Sequence, residues 1–311
     1  MSPQVPKEFF RVRDAGGGGT SEVHLCLPVQ QVKAFISRKE TETTTASRNL
    51  LTLRSSLVAV KVADNSDDYT QKIFNTEYNA LQAIKDSKPE DDSIHERFPR
   101  ILYKGMMDKQ DPSTGVTDSF DYLVLEAYNP PLSLRDIIAF PCIEVPVSLV
   151  YHVFLSLGSA VLYLRDKVRL SHGDIVSSNV IVCPCAGTTS GLPLVALIDF
   201  GRAEPLGKYW SSSDCCEVIQ TVQVLLDVAK VRDDETWEEF TDMVRKEINK
   251  IAFEAENGFS GLWLLWKAIV ENLDMGVEMD EITEVLWQVV KDEDMGVSDA
   301  DLINAVEEHM G

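Results

Sequence analysis

His172-Gly173-Asp174-Ile175-Val176-Ser177-Ser178-Asn179, followed after a short strand hairpin by Ile198-Asp199-Phe200-Gly201, is the stretch on which the reading of this chain turns. Around it the apolar residues recur at helical spacing. That periodicity predicts one helix before it, over 147–165. It predicts five after it, over 217–230, 237–256, 262–273, 281–290 and 299–309, with Asp214 reading as the start of the first. Only 202–213 then separates the second motif from the next large helix. Ser298 with Asp301 has the spacing of a capping box and supports a helix starting there. Asp274-Met275-Gly276-Val277 and Asp294-Met295-Gly296-Val297 look alike and each precedes a helix, which reads as a repeated loop-to-helix start; the ligand spacing of a calcium loop is lacking. This half of the chain is mainly α.

The preceding half has a different texture. Short β-rich runs over 9–12, 23–27, 57–62, 101–103 and 122–125 predict five strands. One amphipathic helix is expected over 67–85 from Ile73, Tyr78, Leu81 and Ile84. Residues 28–56 contain a polar, threonine-rich stretch and read as an insertion or long flexible loop. Asn129-Pro130-Pro131 stops regular structure and marks a boundary.

Two features of this first half carry chemistry. Gly16-Gly17-Gly18-Gly19-Thr20-Ser21-Glu22-Val23 lies between two predicted strands, where residues without a Cβ let backbone N–H groups approach phosphate oxygens. A plain flexible turn is the commoner use of such a run. Val58-Ala59-Val60-Lys61 ends an apolar strand with a cation, which needs an anionic partner if it points inward. Glu77, in the following helix, can supply it.

Taken in order, the glycine run, the V-A-V-K strand, the helix glutamate, the H-G-D-x-x-x-x-N loop and D-F-G resemble the protein kinase-like superfamily over most of 9–230. The resemblance implies an α+β, bilobal protein kinase-like fold. A small β-rich N-lobe with one key helix (1–126, insertion 28–56) would precede a larger, mainly α-helical C-lobe (127–311), the whole forming a single domain. It implies ATP and Mg2+ as cofactors. Lys61, fixed by Glu77, would hold the α- and β-phosphates, and Asn179 and Asp199 would ligate magnesium. Asp174 would be the catalytic base that takes the acceptor hydroxyl's proton. ATP contacts would come from Gly16, Gly17, Gly18, Gly19, Ser21, Val23, Ala59 and Lys61, and from Leu125, Glu126 and Tyr128 at the adenine end.

Four positions depart from the family pattern. Ser21 replaces the third glycine of the loop. Gly173 stands where regulated kinases carry an arginine that pairs with a phosphorylated segment, so gating of that kind is not expected. Val176 replaces a lysine near the γ-phosphate, so that charge is lost or comes from elsewhere. The short 202–213 segment lacks an A-P-E motif. The leading expectation is an atypical protein kinase acting on Ser/Thr hydroxyls. The alternatives are a small-molecule kinase of the aminoglycoside or choline type, and a pseudokinase serving as a nucleotide-binding module.

Bulk properties bound the rest. A net charge of −21 opposes contact with nucleic acid or an anionic membrane, so neither is an expected partner; ATP and a protein or small hydroxyl-bearing acceptor are. No run of 18 apolar residues is present, and Met1 to Phe10 does not read as a signal peptide. Six cysteines, none at zinc-knuckle spacing, read as reduced thiols, with Cys183 and Cys185 as a metal pair the minority reading. The expected compartment is intracellular, the cytoplasm first.

Overall fold

Alternation of apolar and polar residues at period two makes strands, and it does so here at all five expected places. In the computed structural model, which describes residues 5–17, 20–39, 46–63, 68–87, 92–110, 117–141, 143–184, 192–206, 213–230, 235–251, 258–272, 278–292 and 294–310, these are β1 (Phe9–Gly17), β2 (Ser21–Pro28), β3 (Val58–Ala63), β4 (Ile101–Gln110) and β5 (Thr117–Glu126). They form one antiparallel sheet in the order β1-β2-β3-β5-β4. The protein is therefore α+β. Its chain divides into two compact units: Met1–Tyr78 with Arg100–Asn129 and Gly296–Gly311, and Asn79–Pro99 with Pro130–Met295.

In the first unit both faces of the sheet are apolar. Phe9, Cys26, Val58, Val60, Val62, Tyr122 and Val124 build one cluster. Leu25 and Leu27 build the other with residues from outside the sheet, namely Val32, Leu53, Leu57, Val297, Leu302 and Val306. Those partners correct two expectations. Residues 28–56 are not a long loop: they contain helices α1 (Val29–Lys39) and α2 (Ala46–Ser55), because Val32, Leu50 and Leu53, with Phe35 and Ile36, bury apolar surface against the sheet. The stretch at 40–45 lies outside the described residues.

The second correction concerns the C-terminus. Although 127–311 was expected as one lobe, α10 (Asp299–Met310) groups with the sheet. Leu302 is completely buried there, Arg54 Nη2 bonds Asp299 at 2.7 Å, and the Val297 N–H donates to Asn129 Oδ1 at 2.9 Å. The capping box holds: the Ser298 N–H donates to Asp301 Oδ2 at 2.7 Å, and the Asp301 N–H to Ser298 Oγ at 3.1 Å. Of the two look-alike loops, 294–297 does precede a helix, and 274–277 lies outside the described residues.

The second unit contains α4 (Leu134–Ala139), α5 (Val147–Tyr163), α6 (Ser213–Leu226), α7 (Glu235–Ile251), α8 (Gly258–Glu271) and α9 (Glu278–Asp292), with the short strands β6 (Leu170–Ser171), β7 (Val180–Cys183), β8 (Leu194–Leu197) and β9 (Glu204–Pro205). Helix α3 (Asp68–Asp86) has its residues from Asn79 onward in this unit. Just beyond α3, Ser87 Oγ and His95 Nε2 meet the Tyr163 hydroxyl at 2.5 and 2.9 Å. α5 is apolar on nearly every side and buried on nearly every side, the property of a core helix. Together with the turn that follows it, Val147–Val168 is long and apolar enough to cross a membrane, yet 78% of that stretch's most apolar window is buried inside the protein. Its neighbours are aromatic: Tyr151 meets Phe240 edge to face at 4.8 Å, and Phe240 meets Trp266 likewise at 4.9 Å.

Candidate functional site

The first unit supplies a cation, its counter-charge and a hairpin. Val60 and Val62 face one cluster, so period two turns Lys61 to the opposite face of the central strand, directly between Val23 of β2 and Leu123 of β5. Its Nζ donates to Glu77 Oε2 at 2.5 Å, and both residues are buried. A charge taken this far from water stays charged only with such a partner. On the same face Ala59 pairs with Leu25 and Leu125, so Val23, Ala59, Lys61 and Leu125 form one contiguous patch of the sheet.

Gly16 and Gly17 close β1 and Ser21 opens β2, so the glycine run is the turn of a hairpin; Gly18 and Gly19 lie outside the described residues. Gly16 has φ +137°, a conformation that side-chain-bearing residues rarely take, and a register shift occurs between Asp14 and Gly16. At the far end of β5 the Glu126 N–H is already given to Arg100 O at 2.9 Å, and the Glu126 carboxylate meets Arg100 at 3.0 Å. The Glu126 N–H is thus engaged within the unit, and Tyr128 is half-buried just beyond the strand.

The second unit holds Asp174, Asn179 and Asp199 on two short connections. The loop 172–179 runs from β6 to β7 and closes in a 3₁₀ turn at Ser177–Asn179, with the Asn179 N–H on Val176 O at 2.8 Å. β7 and β8 pair as the expected hairpin, which returns the chain so that the Ile198 N–H bonds Asn179 O at 2.9 Å. Asn179 Nδ2 donates to Asp174 O at 2.9 Å and to Asp174 Oδ2 at 3.2 Å. The Asn179 amide oxygen and the half-buried Asp199 carboxylate are hard oxygen donors of the kind magnesium takes. Asp199 itself sits at φ +63°, a left-handed backbone that few side-chain-bearing residues take, Asn and Asp more readily than others.

What holds this loop was not foreseen. Asp214, on the first turn of α6, is 1% exposed and accepts Ser171 Oγ at 2.9 Å, the His172 N–H at 2.7 Å and the Gly173 N–H at 2.9 Å. One turn on, Glu217 Oε2 accepts the Ile175 N–H at 2.8 Å; one further turn on, Thr221 Oγ1 donates to Ile175 O at 2.9 Å. Helical spacing thus lines three side chains along 171–175, where they hold Ser171, His172, Gly173 and Ile175. One signal was legible in advance, an acidic residue opening a helix, and the helix dipole alone accounts for such a residue.

His172 is fully buried and braces the loop from within. It receives the Asp174 N–H on Nδ1 at 3.2 Å, so its Nε2 carries the proton and donates to Ile198 O at 3.0 Å. Burial pushes its pKa below the ordinary histidine value, and the neighbouring Asp214, Asp199 and Asp174 charges only partly oppose that. Phe200, also fully buried, lies edge-on to His172 at 4.5 Å and to Phe98 at 6.1 Å.

Gly173 has φ +74°, and a Cβ there would come within 2.8 Å of Arg202 O. Arg202 in turn reaches Asp174: its Nη1 stands 3.3 Å from Asp174 Oδ1. Cys26, Cys183, Cys215 and Cys216 are free thiols, and burial pushes the Cys26 thiol up to about 12 and raises Cys215 too, which makes both unreactive. Cys142 and Cys185 lie outside the described residues, and with Cys185 goes the proposed metal pair. Among the described residues no three His, Cys, Asp or Glu side chains gather as a metal cluster. A magnesium held by one carboxylate, one amide and the oxygens of a nucleotide needs no such cluster. No protein-family model matches the chain, and no curated protein matches it.

Proposed function

We propose that the chain is an ATP- and magnesium-dependent phosphotransferase with a bilobal, protein kinase-like fold, acting on hydroxyl groups and foremost on Ser/Thr side chains of proteins. The observation that carries the reading is the Asp174–Asn179 pair: a carboxylate and an amide hydrogen-bonded to each other on a loop braced at His172, Gly173 and Ile175 by Asp214 and Glu217. A site that works by positioning rather than covalent chemistry needs a base held this firmly.

In this reading the acceptor oxygen attacks the γ-phosphorus, the bond from that phosphorus to the β–γ bridging oxygen breaks, and ADP leaves with the electron pair. The acceptor proton passes to the Asp174 carboxylate. Lys61 pairs with the α- and β-phosphates and is kept in place by Glu77. Bound magnesium would neutralise charge on the β- and γ-phosphates, with Asn179 and Asp199 as its protein ligands. Gly16, Gly17, Ser21 and the patch of Val23, Ala59 and Leu125 face the nucleotide.

A second reading, transfer to a small alcohol, is favoured by one observation: α6 begins at Ser213, so little chain follows Gly201 before the next helix, and a long peptide-docking segment has no room. Incubation of the purified chain with magnesium and γ-labelled ATP, in the presence of casein or of a panel of aminoglycosides and cholines, separates the two. Label on protein supports the first, and label on a small alcohol the second. Nucleotide binding with no transfer to any acceptor favours a binding module over either.

A further inference from the structure

Within the phosphotransferase reading, the loop around Asp174 is short of positive charge. Residues 172–179 contain no lysine or arginine, and the position two after Asp174 is filled by Val176, whose apolar side chain stands 42% exposed. A γ-phosphoryl group approaching Asp174 would meet a carboxylate with no cation on the same loop. Charge that develops in transfer needs a fixed donor within hydrogen-bonding distance.

We infer that Arg202 is that donor and so a catalytic residue of the transfer. Three observations within the second unit point to it. The Arg202 Nη1 to Asp174 Oδ1 distance of 3.3 Å puts the guanidinium beside the carboxylate that would accept the acceptor's proton. Among the described residues no other cation pairs with Asp174, and the remaining N–H groups of Arg202 reach no protein acceptor, so they are open to a second anion. The third is the backbone. Gly173, at φ +74°, lies so close to Arg202 O that a Cβ would approach to 2.8 Å, while the Ala203 N–H returns to Phe200 O at 3.0 Å. The turn after D-F-G is therefore packed directly on the H-G-D triplet, and glycine at 173 is what permits it.

Stability does not account for the pair. The Arg202 side chain is 65% exposed, and an ion pair so open to water contributes little to folding. A guanidinium is a planar fork of N–H donors, so one arm can remain on Asp174 while the other donates to phosphoryl oxygens. It transfers no proton. It offsets the negative charge on the γ-phosphoryl oxygens as the acceptor oxygen bonds to phosphorus, and it holds Asp174 aimed at the acceptor hydroxyl.

The inference rests on the phosphotransferase reading, and one set of measurements separates their failures. Wild type, Arg202→Ala and Arg202→Lys are compared for binding of Mg·ATP by equilibrium dialysis. The same three are compared for phosphoryl transfer from γ-labelled Mg·ATP to casein and to water, and for thermal unfolding. Expected are an unchanged melting temperature, Mg·ATP affinity within about threefold, and a kcat lowered about a hundredfold or more in Arg202→Ala. Arg202→Lys should recover part of the loss, and millimolar guanidinium should rescue Arg202→Ala but not wild type. Wild-type turnover with Arg202→Ala turnover equal to it overturns the inference and leaves the phosphotransferase reading standing. Loss of affinity in step with turnover, or no rescue by guanidinium, also overturns it. Wild type that binds no Mg·ATP, or binds it without transfer, overturns both.

Discussion

The ammonium of Lys61 and the carboxylate of Glu77, sixteen positions apart in sequence, meet at 2.5 Å in an environment that leaves the two side chains 10% and 3% exposed. Removing one partner takes this counter-charge away from a buried group. Lys61→Met or Glu77→Leu alone should lower unfolding stability by about 3–5 kcal/mol. The double variant Lys61→Met/Glu77→Leu should lose less than either. Urea titration of the four proteins decides the point, and additive single losses would show that the two groups are not coupled.

Asp214 accepts hydrogen bonds from Ser171, His172 and Gly173 at once, and Asp214→Ala leaves all three donors without a partner in a buried place. With hydrogen bonds to a charged group worth about 1.5–3 kcal/mol each and partial relaxation, a loss of at least about 3 kcal/mol is expected. Faster hydrogen exchange at the His172 and Gly173 amides than elsewhere in the unit would locate the damage. Uniform exchange across the unit would contradict the bracing role.

Acid should destabilise the second unit through His152. Burial holds its pKa at about 4 against an ordinary 6.5, with Nε2 bonded to Pro193 O at 2.7 Å. Below pH 6.5 the unfolded chain takes up a proton that the folded chain refuses, so stability is fully present above that pH and falls as pH drops to 4. The full loss is about 3 kcal/mol. His172, shifted the same way by burial, adds to the slope. His152→Gln should flatten the stability profile between these limits, and an unchanged acid slope would remove His152 as its source.

Leu302 of α10 is fully buried among Leu25, Leu27 and Leu53. Leu302→Ala should therefore cost about 2–5 kcal/mol. Its effect should appear as faster amide exchange in β1 and β2, far away in sequence; exchange changes confined to 296–310 would detach α10 from the sheet.

These sites differ in how much of them the sequence revealed. Strands were legible because Val58, Val60 and Val62 alternate with Ala59 and Lys61, and Glu77 was legible because a lysine ending a buried strand demands a counter-charge. Helices α1 and α2 were not, since a short stripe of Val32, Phe35 and Ile36 sits beside a threonine-rich run whose polarity dominates any window. Pairing of α10 with β1 and β2 depends on contacts across more than two hundred residues, which periodicity cannot encode. The same holds for Asp214, whose three partners lie some forty residues upstream. Gly173 was read as a lost arginine, whereas its positive φ and its contact with Arg202 O show a steric requirement. Arg202 gave no sequence signal, because its partner is identified by distance alone.

The proposed transfer requires Lys61 and Asp199 to serve one triphosphate. A crystal structure of the protein soaked with magnesium and a non-hydrolysable ATP analogue tests it directly. Expected are Lys61 Nζ on the α- and β-phosphates, and a magnesium ion bound by Asp199 and the Asn179 amide oxygen on the same nucleotide. A nucleotide bound elsewhere, or Lys61 and Asp199 farther apart than one triphosphate can span, would contradict it.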